Sequence, residues 1–87
     1  MKEEIIETMK NRGCIITDRQ KWIVEAVCQV EVIDSIDDFW IKLRENRSVS
    51  WSTVRTTFRF MTLCGILRRE SRGNRSVSYR LMTQDNT

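Results

Sequence analysis

Eighty-seven residues with 40% hydrophobic content suffice for one small domain with a thin folding margin, because short chains bury a small fraction of their surface. No apolar run approaches the roughly 18 residues of a membrane span and nothing reads as a secretory leader, so we expect a cytoplasmic protein with no membrane partner. The formal charge is +3 with no histidine. No Gly-rich phosphate loop and no Ser or Cys with an evident activating partner is present either, so neither an enzyme nor a metal or other cofactor is expected.

The first predicted element is a short helix over residues 2–10, with Ile5, Ile6 and Met9 at helical spacing and Gly13 just beyond as a left-handed terminator. Thr17-Asp-Arg-Gln20 is a capping-box pattern, after which Ile23, Val24, Val27 and Cys28 line one side of a second helix to about residue 30. Ser35-Ile-Asp-Asp38 repeats the capping logic. It sets carboxylates near the positive end of the dipole before Phe39, Trp40 and Leu43, in a third helix ending near residue 45. Cys28 and Cys64 sit among apolar residues and read as core, and none of the three cysteines forms a Cys-x-x-Cys pair.

The fourth helix, about 51–64, takes Ser50 as N-cap and stops before Gly65. At 100° per residue, Val54, Phe58 and Met61 share one direction, with Trp51, Thr57 and Cys64 on its flanks. Ser52, Arg55, Thr56 and Arg59 cluster opposite, and Phe60 and Leu63 border that exposed side. Residues 66–70 and 76–81 then have strand character, the second with Val77, Tyr79 and Leu81 inward and Ser78 and Arg80 outward. Ser71-Arg72-Gly73-Asn74-Arg75 joins them as a turn, giving a basic hairpin.

Charge is divided unevenly between the halves. Residues 1–46 hold seven Lys/Arg against ten Asp/Glu, net −3, and residues 47–87 hold eight Arg against two acids, net +6 with no lysine. A guanidinium is a planar fork that grips phosphate or the guanine edge bidentately, which an ammonium cannot do, so the second half is suited to an anionic partner. The predicted fold is mostly α with a small β-hairpin: a winged helix-turn-helix of four helices plus a two-stranded wing over residues 1–81, with a polar tail at 82–87.

The stretch from Asn11 to Leu81, about four fifths of the chain, resembles the N-terminal DNA-binding domain of the ferric uptake regulator family. Ser35-Ile-Asp-Asp-Phe-Trp-Ile-Lys-Leu43 is similar to that family's Ser-Ala-Glu-Asp-Leu-Tyr-x-x-Leu helix, and Val49-Ser-Trp-Ser-Thr-Val54 to its Ile-Gly-x-Ala-Thr-Val entry to the recognition helix. Cys64-Gly-Ile-Leu67 is similar to Ala-Gly-Ile-Val, and Ser76-Val-Ser-Tyr-Arg-Leu81 resembles Ser-Val-Phe-Glu-Leu. Where the family reads Thr-Val-Tyr-Arg, this chain reads Thr53-Val54-Arg55-Thr56, so a different sequence preference is expected. The family arginine at the start of the second helix aligns with Gln20, leaving Arg19 one position early. The family's second domain, with its metal ligands and dimer interface, has no counterpart within these 87 residues, which are either a stand-alone protein or a domain of a longer one, and metal sensing is not expected of them.

The function expected from these features is sequence-specific binding of double-stranded DNA by a transcriptional regulator. Arg55 and Arg59 would reach base edges or phosphates in the major groove, with hydroxyl contacts from Ser52, Thr53 and Thr56. Arg19 would add a contact from the second helix, and Arg72 and Arg75 would hold the wing against the backbone. A lone winged helix reads a short half-site, so a weak homodimer or a partner regulator subunit is expected beside DNA. The alternative is a winged-helix protein interaction module, or a subunit of a larger regulator without DNA binding of its own. The arginine distribution favours DNA. RNA fits less well, because the hairpin offers one aromatic, Tyr79, where a stacking platform needs several.

Overall fold

A computed structural model describes residues 2–71, 73 and 77–82. The order of elements is α1 (Lys2–Asn11), α2 (Asp18–Val30), β1 (Val32–Ile33), α3 (Ile36–Leu43), α4 (Trp51–Leu63), β2 (Leu67–Ser71) and β3 (Val77–Leu81). Local chemistry fixes most of these boundaries. Thr17 accepts from the backbone of Gln20 while the Gln20 side chain returns to the backbone of Thr17, closing a capping box on α2. Ser35 and Ser50 cap α3 and α4 through the backbone amides of Asp38 and Thr53. Gly65, at φ 77°, lets the chain leave α4 while Ile66 N–H returns to the Met61 carbonyl.

The hairpin is part of a larger sheet than expected. β3 pairs antiparallel with β2 on one side and with β1 on the other, giving the order β1-β3-β2. Val32 faces Arg80 and Ile33 faces Tyr79. A strand of two residues has no periodicity of its own; it exists because β3 offers a free edge and Ile33 has a core to enter. Ser78, expected to face outward, is buried at 3% exposure. The third helix is also shorter than expected, ending at Leu43 with residues 44–46 in turns.

One core binds these pieces. Met9 of α1, Ile23, Val24 and Val27 of α2, and Val54, Phe58 and Met61 of α4 have no exposed surface. Ile33, Leu67 and Leu81 close it from the sheet. α3 contributes no fully buried residue; Phe39, Trp40 and Leu43 pack on the core from its edge. The stripe expected on α4 is therefore the stripe found, with Thr57 added to it: that hydroxyl donates to the Thr53 carbonyl at 2.7 Å, which lets a polar side chain lie fully buried. No described helix is long and apolar enough to cross a membrane.

Candidate nucleic-acid interface

Burying Val54, Thr57, Phe58 and Met61 leaves the other side of α4 to solvent, and Ser52, Arg55, Thr56 and Arg59 are all exposed there. α4 carries no acidic residue of its own in its first turn, so the positive end of its dipole and its arginines have the same sign. Thr53 differs from its neighbours. It is half-buried, and its hydroxyl lies 2.9 Å from the Ser50 hydroxyl within the cap.

The approach to α4 is held from two directions. Trp40 of α3 donates its indole N–H to the Val49 carbonyl at 2.9 Å, and Arg19 of α2 donates through Nε to the Ser48 carbonyl at 3.1 Å. These consecutive carbonyls immediately precede the N-cap, so α2 and α3 together set where α4 begins. Arg19 is exposed as well as tethered, which puts its guanidinium beside the start of α4. Of the expected site residues, Arg19, Ser52, Arg55, Thr56 and Arg59 thus gather around one end and one face of α4. Arg72 and Arg75 lie outside the described residues.

A second basic pair, not anticipated, lies on the sheet. Arg68 of β2 and Arg80 of β3 are directly paired across the sheet and both exposed, with Glu70 3.8 Å from Arg68. Arg80 is outward as the sequence suggested, although Ser78, assigned to the same side, is buried; the register that sets Arg80 opposite Arg68 was not readable. Two guanidinium groups side by side repel, and such a pair is relieved by an anion between them.

Two of the three thiols are held protonated. Burial pushes Cys28 and Cys64 above the usual thiol range, and for Cys64 the adjacent Cys14 side chain adds to the shift. Both stay protonated near neutral pH and are poor nucleophiles there. All three cysteines are partly exposed and rest against the core.

Four helices, the last with a polar-basic face, followed by an antiparallel wing, define a winged helix-turn-helix. No family model matches the sequence, and no curated protein is detectably similar to it. Solved structures do match. A manganese uptake regulator superposes with a TM-score of 0.81 at 18% identity, over 93% of this chain and 60% of that one. PerR from Streptococcus pyogenes, described for peroxide sensing and gene regulation, gives 0.80 at 22% identity, over 93% of this chain and 56% of that one. A zinc-bound manganese uptake regulator gives 0.78 at 18% identity, over 94% and 63%. The chain spans about three fifths of the length of these proteins. The resemblance to the ferric uptake regulator family's N-terminal domain therefore holds for the fold. The chain has no histidine, and no three His, Cys, Asp or Glu side chains come together among the described residues.

Proposed function

We propose that this chain is a transcriptional regulator that binds double-stranded DNA sequence-specifically, with α4 in the major groove and the β2–β3 wing against the backbone. The observation that carries this reading is the face of α4: Ser52, Arg55, Thr56 and Arg59 exposed together on a helix whose other side buries Val54, Thr57, Phe58 and Met61. Arg19 adds a phosphate contact beside it, Arg68 and Arg80 add contacts from the wing, and Arg72 and Arg75 are assigned the same role from the sequence. The similar structures include proteins named as regulators, which agrees with the reading.

The test is fluorescence anisotropy against a random pool of duplex DNA at salt rising from about 50 to about 200 mM. Wild type binds at low salt with a steep salt slope, and the Arg55→Ala, Arg59→Ala double variant loses affinity; each lost phosphate contact flattens the slope by about one. Sedimentation of the complex gives its stoichiometry, with a weak dimer or a partner subunit completing a short half-site. Failure of the wild type to bind at low salt removes the reading.

The second reading, a protein-interaction module, rests on a different place. A groove of about 940 Å³ runs between α2, β1 and α3, lined in part by Trp22, Ile33 and Phe39. Val30, Val32 and Ile41 at its margin are 53%, 43% and 49% exposed. Loss of DNA binding in the anisotropy test would direct attention there.

A further inference from the structure

Asp37 and Asp38 both open α3, where the helix dipole favours a carboxylate. The dipole does not distinguish them, but the tertiary structure does. Asp37 Oδ1 accepts a hydrogen bond of 2.7 Å from the indole N–H of Trp51, the first residue of α4. The guanidinium carbon of Arg55 in turn lies 5.3 Å from the centroid of the Trp51 ring. Carboxylate, indole and guanidinium form one chain from α3 to the exposed face of α4.

We propose that Asp37 is a positioning residue for base reading: it fixes the indole of Trp51, on which Arg55 rests, so that Arg55 presents its N–H fork to one guanine of the target site. The inference builds on the DNA-binding reading and says how that site obtains part of its specificity.

The geometry supplies the reasons. Residues four apart on a helix are neighbours, and helical side chains lean toward the N-terminus, so stacking on Trp51 draws the Arg55 guanidinium to the start of α4. That is the end of a recognition helix whose residues meet base edges. An exposed arginine otherwise samples many rotamers, and a phosphate contact tolerates this because phosphates line the groove. A bidentate bond to guanine O6 and N7 does not tolerate it, since both N–H groups must be aimed together. Stacking over an aromatic face leaves the guanidinium edge free to form that pair. The indole would itself swing if its N–H were untied, and a carboxylate acceptor makes the tie a strong one. Arg59, one turn further along, lies over no aromatic ring among the described residues, which suits it to phosphate.

The experiment begins with the site selected by wild type from random duplexes, followed by binding to versions of it with each base pair changed in turn. Arg55→Ala abolishes discrimination at one G·C pair, a loss of about ten- to a hundredfold there. Asp37→Ala and Trp51→Phe, which keeps a ring but no N–H, each lose about fivefold at that same pair. Both retain the wild-type salt slope. Asp37→Asn, which keeps an acceptor oxygen, stays close to wild type. In solution NMR, Asp37→Ala shifts the indole N–H signal of Trp51, identified by its absence in Trp51→Phe, and leaves the other two tryptophans in place. If Asp37→Ala and Trp51→Phe discriminate like wild type while Arg55→Ala does not, the relay is wrong and DNA reading by Arg55 stands. If Arg55→Ala weakens every version evenly, Arg55 is a phosphate contact and the inference falls while DNA binding stands. If wild type binds no duplex, both fall.

Discussion

Phe58 lies where three elements meet. Its ring stands 5.1 Å from Phe39 of α3 and 5.0 Å from Tyr79 of β3, the latter edge-on, and none of it reaches solvent. Aromatic pairs of this kind contribute beyond their buried area, so one side chain on α4 sets both the third helix and the wing against it. Truncation would leave a cavity shared by all three elements. Phe58→Ala is expected to cost about 3–5 kcal/mol, much of the total margin of a small domain, whereas Phe58→Leu keeps most of the volume and costs far less. Urea unfolding followed by circular dichroism checks the pair. Nearly equal midpoints would show that the core relaxes around the site and that Phe58 does not brace it.

At the scale of elements, the residue that ends α2 is the anomaly. Glu31 has φ 66° and ψ −32°, a positive-φ conformation outside the usual wells that costs a side chain with a Cβ, and it is the one described residue other than glycine with positive φ. It is held there from both sides: its N–H bonds to the Val27 carbonyl, and its carbonyl accepts from Leu81 N–H at 2.7 Å, which ties the end of α2 to β3. Glu31→Gly removes the steric cost at the expense of a more flexible unfolded chain, for a net gain of about 0.5–1 kcal/mol. A thermal melt would show this as a rise of a few degrees, and a fall would mean that the glutamate side chain has a stabilising role. Glu31 also marks the limit of what a sequence reveals. Thr17, Ser35 and Ser50 were legible as caps and Gly13 and Gly65 as terminators, because each acts within a turn of the chain. The buried and exposed sides of α4 were legible from helical arithmetic alone. β1 was not, because two residues show no period and the strand exists through β3. The Asp37–Trp51 bond joins positions 14 apart and needs the approach of α3 to α4, which no local pattern announces.

Over the whole molecule, the uneven charge of the sequence sets exposed arginines against one another, at a cost to stability that the proposed function would offset. Arg68 and Arg80 face each other across β2 and β3 and are both exposed. Like charges directly opposite in a sheet destabilise it, by a few tenths of a kcal/mol to about 1 kcal/mol. Glu70 offsets part of this at 3.8 Å from Arg68, although an exposed pair at that distance is weak. Folding alone would favour a β-branched polar residue at position 80, since its other neighbour is Val32 of β1. Arg80→Thr is therefore expected to raise the melting temperature by a few degrees at low salt, and by less at high salt where repulsion is screened. On the proposed DNA-binding reading, in which Arg80 contacts phosphate, the same change is expected to weaken binding evenly across duplex sequences and lower the salt slope by about one. These opposite signs are the informative outcome. A substitution that lowered both melting temperature and affinity would show that Arg80 supports the sheet. One that raised stability without touching affinity would place the wing off the DNA and leave recognition to α4 alone.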